Sequence, residues 1–249
     1  MTMLAGKTVV ITAAAGTGIG SAAARRCLEE GATVLLSDRH ERRLAETAER
    51  LDAQHAGRVQ AIACDVTVEA QVRTLIDGAV ARFGRIDVLI NNAGLGGDQS
   101  IVDMTDEEWA RVLDVTLTGT FRCTRAVLRQ MIRQGGGAVV NNASVLGWRA
   151  QPGQAHYAAA KAGVMALTRC AALDVAAHGI RVNAVAPSLA MHPFLARTSS
   201  EALLAELAGR EAFGRAAEPA EVANVMIFLA SDLASYLTGE VISVSSQHP

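Results

Sequence analysis

Short apolar runs rich in β-branched residues alternate with longer amphipathic stretches along the whole chain. The runs predict strands at Thr8–Thr12, Thr33–Ser37, Val59–Cys64, Ile86–Ile90, Ala138–Asn142, Ile180–Ala186 and Glu240–Val244. Most are apolar at every position rather than alternating, as expected for strands covered on both faces. The stretches between them predict helices over Gly18–Glu30, His40–Gln54, Val68–Phe83, Asp106–Arg133, Gln154–His178 and Pro219–Ser231. Thr105-Asp106-Glu107-Glu108 reads as a capping box at the start of the fourth. Regular β-α alternation implies right-handed crossovers, hence a doubly wound α/β domain whose mostly parallel sheet carries helices on both faces. No linker, repeat or low-complexity tract divides residues 1–249, so one domain is expected.

Composition narrows the function classes. The chain is 50% hydrophobic with a formal net charge of -2, and it has no basic block. That disfavours nucleic acid and anionic membranes as partners. No apolar run approaches the ~18 residues of a membrane span, and the N-terminus lacks a signal-peptide pattern. Cys27, Cys64, Cys123 and Cys170 have no metal-ligand spacing. All four read as buried, reduced thiols, which points to a cytoplasmic protein without a metal centre.

Candidate chemistry begins after the first strand. The small-residue run Thr12-Ala13-Ala14-Ala15-Gly16-Thr17 leads into Gly18-Ile19-Gly20 at a helix start. Glycines there let backbone N–H groups approach a pyrophosphate, and the helix N-terminus adds a positive field. Gly16, Thr17, Gly18 and Ile19 are therefore candidate cofactor contacts. A tight turn is the plainer explanation of the glycines. Asp38 closes the second strand, where a carboxylate accepts hydrogen bonds from both adenosine ribose hydroxyls and repels a 2′-phosphate. That favours NAD. The neighbouring Arg39 could stack on adenine or pair with a 2′-phosphate, so NADP stays open.

Tyr157 and Lys161 share a helix face one turn apart. An ammonium beside a phenol favours the phenolate and is expected to lower the tyrosine pKa. Such a pair donates a proton to a forming alkoxide or removes one from an alcohol. Ser144, at the end of the fifth strand, can bond the same oxygen. Spacing alone would leave a Tyr-Lys pair as a helix-surface feature.

Together these pieces resemble the short-chain dehydrogenase/reductase family from about Lys7 to Val244. The likeness rests on the glycine turn, Asp65, Asn91-Asn92-Ala93-Gly94, Ser144, Tyr157-Ala158-Ala159-Ala160-Lys161, Asn183-Ala184-Val185-Ala186-Pro187 and Phe228-Leu229-Ala230-Ser231-Asp232. The resemblance implies a Rossmann domain with a seven-stranded sheet, and hydride transfer between a nicotinamide cofactor and a ketone or secondary alcohol. It implies Tyr157 as proton donor and Ser144 as orienter of the substrate oxygen. Lys161 would tune the tyrosine and bind the nicotinamide ribose. Asn92, Ala93, Gly94 and Pro187 would line the cofactor cleft, with Asp65 and Val66 beside the adenine.

Three positions depart from the family pattern. Alanines occupy the opening of the glycine motif, Ala13 among them, so a rerouted loop is expected, with Gly16 supplying freedom. Thr116 stands where the family has an asparagine of the proton relay; its hydroxyl either joins the relay or caps a carbonyl within its own helix. Ser188 follows Pro187 in place of glycine. His192 replaces a threonine that touches the carboxamide; it bonds the amide, faces substrate or lies exposed.

The segment Ser188–Phe213 carries leucines, Met191 and Phe194 at partly helical spacing and reads as a substrate lid. An apolar lid suits a fatty acyl thioester or a steroid-like ring, although the same leucines could pack on the domain itself. Arg149, Arg197 and Arg210 could meet the phosphates of a coenzyme A or carrier thioester. Apolar residues on more than one face of the fourth and fifth helices, with the resemblance, imply a homotetramer. A non-catalytic nicotinamide-binding sensor on the same fold is the competing function.

Overall fold

The structure, a computed structural model, describes residues 2–191 and 201–246. Its strands are β1 Thr8–Ile11, β2 Thr33–Asp38, β3 Val59–Ala63, β4 Val88–Asn91, β5 Gly137–Asn142, β6 Ile180–Pro187 and β7 Val241–Val244. All six pairings are parallel and the order is β3-β2-β1-β4-β5-β6-β7. Every strand expected from the apolar runs is present. The helices are α1 Ile19–Glu29, α2 Glu41–Asp52, α3 Glu69–Phe83, α4 Asp106–Leu113, α5 Gly119–Gln134, α6 Ala155–Val175, α7 Glu201–Arg210 and α8 Pro219–Ala230.

Alternation along each strand sorts the core into two layers. Val9, Ile11, Val34, Leu36, Val88, Ile90 and Val140 face α1, α2 and α8. Val10, Leu35, Leu89, Val139 and Val182 face α3, α5 and α6. The chain reverses its winding between β1 and β4, so the loops leaving these two strands diverge and open a crevice at the carboxyl edge of the sheet.

Two elements differ from expectation. The long helix over Asp106–Arg133 is broken by a π-helical turn at Asp114–Thr118, which separates α4 from α5. Such turns relax the helical ladder at one point and turn side chains out of register. The Ser188–Phe213 segment holds α7, and of its apolar residues only Leu204 is a buried residue of that helix. Residues 192–200 lie outside the described residues, His192, Phe194, Leu195 and Arg197 with them. The capping box forms as expected: Thr105 accepts from the Glu108 N–H while the Glu108 carboxylate accepts from the Thr105 N–H. Cys27, Cys64 and Cys123 are buried, but Cys170 is exposed on the outer face of α6. A small apolar side chain on that helix carries no local mark of which face turns outward. No helix among the described residues is long and apolar enough to cross a membrane.

Candidate active site at the carboxyl edge of the sheet

Ser144 opens a short 3-10 turn just beyond β5, and its Oγ accepts from the Leu146 N–H at 3.2 Å. That turn packs onto α6, which carries Tyr157 and Lys161 in its first two turns. The Ser144 hydroxyl lies beside the Tyr157 phenol and acts to lower its pKa. The Lys161 ammonium donates to the Asn142 carbonyl and stands 5.5 Å from the Tyr157 ring centre. Three residues foreseen from sequence are thus brought together at the mouth of the crevice.

Their electrostatics differ from expectation. Burial pushes the Tyr157 phenol up to about 12, and the Ser144 hydroxyl pulls against it. The lysine was expected to lower this value. Its ammonium is instead turned to a main-chain carbonyl, and burial lowers Lys161 itself to about 8. Removing water from both groups disfavours the charged form of each, and in this geometry desolvation outweighs their mutual attraction.

Across the crevice lies the β1–α1 loop, expected from sequence to meet a pyrophosphate. α1 starts at Gly18 with no side-chain cap and no acidic residue in its first turn, so its leading amides have no capping partner in the protein. Space is open beside Gly16 and Gly18. This unsatisfied, glycine-bordered helix start fits the pyrophosphate of a dinucleotide. Gly16 supplies the expected freedom at φ +85°, but Ala13 also adopts a left-handed conformation, at φ +50°. It is the one non-glycine with positive φ among the described residues. The chain therefore keeps a glycine-type turn and accepts the strain of a methyl group in it. Thr12 Oγ1 accepts from the Asn92 and Ala93 N–H groups, both at 3.0 Å, and Asn92 Nδ2 donates to the Ala13 carbonyl at 3.0 Å. Gly20 is required by close approach, since a Cβ there would lie 2.3 Å from that carbonyl.

Asp38, expected from sequence to meet the adenosine ribose, stands at the end of β2. Its carboxylate accepts from the Ala15 N–H at 3.3 Å and the His40 N–H at 3.0 Å. Arg39 is exposed, with its Nε 3.4 Å from the His40 ring. Thr47 Oγ1 accepts from the Gly16 N–H, and Arg50 reaches the Gly16 carbonyl, so α2 buttresses the loop. Asp65 Oδ1 takes both the N–H and hydroxyl of Thr67, which anchors the turn into α3, and Val66 packs against Gly119. Pro187 closes β6, with Ser188 N–H bonded to the Val244 carbonyl.

Thr116 is buried in the π-helical turn and does not cap a carbonyl of its own helix. Its hydroxyl donates to the Leu95 carbonyl at 3.0 Å and accepts from the Leu95 N–H at 2.9 Å. It clamps the β4–α4 loop instead of a carbonyl in its own helix, and its one proton is committed to that loop. Gly94, on the clamped loop, faces the ammonium: a Cβ there would stand 3.5 Å from Lys161 Nζ. Further along, Gly96 lies over the Tyr157 ring and Gly97 presses on His156, where a Cβ would stand 2.7 Å from Nε2.

Sequence reasoning missed Asn142, which carries the lysine on its carbonyl and bonds Asn92 through its side chain. The available signal was a pair of doublets, Asn91-Asn92 and Asn141-Asn142, each closing a strand otherwise apolar. Amides at buried strand ends require partners.

Comparison with known proteins agrees with this geometry. A family model described as enoyl-(acyl carrier protein) reductase matches residues 13–246. A Mycobacterium tuberculosis protein, (5R,7aS)-5-hydroxy-7a-methyl-1-oxo-2,3,5,6,7,7a-hexahydro-1H-indene-carboxyl-CoA reductase, is 66% identical over 99% of this chain and 95% of its own. The 3-oxoacyl-[acyl-carrier-protein] reductase of Thermotoga maritima is 41% identical over 97% of each chain. A crystal structure of a short chain dehydrogenase from Mycobacterium smegmatis superposes with a TM-score of 0.89 at 57% identity, covering 100% of this chain and 95% of that one.

Proposed function

The chain belongs to the short-chain dehydrogenase/reductase family and is an oxidoreductase acting on CH–OH groups, and from that premise we propose its chemistry in detail. The reaction is reversible reduction of a ketone on a hydrophobic, thioester-bearing substrate to the secondary alcohol. Bound nicotinamide supplies or takes up the hydride at the carbinol carbon. Tyr157 Oη gives its proton to the substrate oxygen in reduction and recovers it in oxidation. Ser144 holds that oxygen and stabilises charge developing on it. Lys161 keeps a positive charge behind the phenol and is placed to meet the ribose. Thr116 acts as a positioning residue, since its hydroxyl fixes the loop that presents Gly94 to the ammonium.

One observation carries this reading: the Ser144 hydroxyl and a buried ammonium, 5.5 Å from the ring, converge on the Tyr157 phenol. The phenol near 12 suits an acid, being fully protonated at neutral pH. Asp38, whose carboxylate sits where ribose hydroxyls would be met and a 2′-phosphate repelled, supports NAD over NADP. Gly94, Gly96 and Gly97 leave the crevice without side chains on the Tyr157 side, which suits a bulky ketone. The named substrate of the mycobacterial relative, a bicyclic carboxyl-CoA, is the class we assign first, ahead of linear 3-oxoacyl thioesters. A homotetramer in the cytoplasm is the expected setting of this reading.

The test compares the native protein and Tyr157→Phe with NADH and NADPH on ring-ketone and linear 3-oxoacyl CoA thioesters. Turnover is expected to fall about 10³-fold in the variant, with NADH binding by nicotinamide fluorescence retained. Unchanged turnover in Tyr157→Phe overturns the acid/base assignment.

A further inference from the structure

Three hydrogen bonds run in series from the cofactor loop to the buried ammonium. The Ala13 carbonyl accepts from Asn92 Nδ2 at 3.0 Å. Asn92 Oδ1 accepts from Asn142 Nδ2 at 2.9 Å, and the Asn142 carbonyl accepts from Lys161 Nζ. The far end of this series is the strained residue: Ala13 holds φ +50°, and its carbonyl also bears against Gly20 at the start of α1. A left-handed alanine persists only where its surroundings over-determine it. The Asn92 amide is the group that grips its carbonyl.

Asn142 has a further peculiarity. Its Oδ1 is buried with no hydrogen-bond partner. An unpaired buried oxygen is a cost that an aliphatic side chain of similar size would not incur. Packing alone therefore gives no reason for an amide here, whereas the bond from Nδ2 to Asn92 does.

We propose that Asn142 is a positioning residue that couples the two halves of the site, gripping the strained Ala13 turn through Asn92 and holding the Lys161 ammonium on its own carbonyl. The inference rests on the reading of Tyr157 and Lys161 as the reacting pair. A change in the β1–α1 loop then reaches the phenol without contact between them, because the loop carbonyl, the two amides and the Lys161 side chain, charged or neutral, move as one connected set.

Tyr157 reports on this directly. The chain has two tyrosines, and Tyr236 is fully exposed, so in a Tyr236→Phe background the phenolate absorbance near 295 nm belongs to Tyr157. Among the described residues the titratable groups near that phenol are Lys161 and His156, both on α6; the other elements packed on it present Ser144 and Gly96. The experiment is a stopped-flow pH jump on protein without cofactor or substrate, read before unfolding, for the background, Ala13→Gly, Asn142→Leu and both together.

Ala13→Gly is expected to move the Tyr157 midpoint by about 0.5 unit or more while Asn142 is intact, and not at all once it is leucine. Asn142→Leu alone is expected to shift the midpoint and to weaken NADH binding. If Ala13→Gly moves the midpoint equally in both backgrounds, or in neither, the coupling does not exist. A lowered melting temperature of Asn142→Leu with an unmoved midpoint makes the residue merely structural and also overturns the proposal. Should the leucine variant fail to fold, Asn142→Ser replaces it under the same criteria. No turnover is measured, so loss of the catalytic assignment in the Tyr157→Phe assay and loss of the coupling remain separate outcomes.

Discussion

Two asparagine pairs sit one residue apart on the same two strands and do different things. Asn91 and Asn141 face each other across β4 and β5, and their side chains point to the α5 and α6 side. There Asn91 donates to Thr124 and Asn141, and Asn141 donates to Thr168, all at 2.9 Å within the core. Asn92 and Asn142 point to the opposite face and bond Ala13 and each other. A shift of one position along a strand moves a side chain to the other side of the sheet. The same amide chemistry therefore ties helices to the sheet in one pair and ties the β1–α1 loop towards Lys161 in the other.

The sharpest way to break that contrast is to remove the inner pair. Asn141→Ala removes one of the two acceptors of the buried Asn91 amide and deprives Thr168 of its donor, and is expected to cost about 3 kcal/mol in urea unfolding. NADH affinity should be unchanged, measured by fluorescence titration well below the melting temperature. A large loss of affinity with intact folding would mean that the inner pair also serves the site.

The pH dependence of stability sharpens the outer side. Lys161, lowered from 10.5 to about 8 in the folded state, binds its proton less tightly there than when unfolded. Its burial cost is complete below pH 8 and is relieved as pH rises towards 10.5. Tyr157, raised from 10.0 to about 12, contributes stability that is full below pH 10 and lost as pH rises through 12. Unfolding free energy should thus gain about 2 kcal/mol between pH 8 and 10 and decline above. In Lys161→Met the gain should vanish, while in Asn141→Ala it should persist. Equal slopes in all three proteins would show that the lysine is not the titrating group.

The smallest effect belongs to the loop. Ala13→Gly removes a left-handed methyl but enlarges the freedom of the unfolded chain, for a net gain of about 0.5–1 kcal/mol by thermal melting. A loss of stability instead would mean that the turn is not strained at this residue.

Much of this was legible in the order of residues. Periodicity located all seven strands, because a strand covered on both faces must be apolar throughout. The capping box at Thr105 was equally plain, since its partners are three residues apart. The Tyr157–Lys161 pair and the helix start at Gly18 were readable for the same reason: their partners are local. The π-helical turn at Thr116 was not, because nothing within Asp114–Thr118 requires it; the Leu95 backbone that Thr116 holds is distant in sequence. The sign of the Tyr157 shift was misjudged because it depends on how much water the fold removes.

What the sequence by itself determined is the inventory and its local spacing: which segments are strands and which helices, where the helix start lies bare, and which phenol stands one turn from which ammonium. The tertiary structure decided everything that crosses between strands. It set Asn92 beside Asn142, bent Ala13 into a turn its side chain resists, and directed Lys161 to a carbonyl rather than to Tyr157. Those outcomes depend on sheet register and desolvation, which come into being only when distant segments pack.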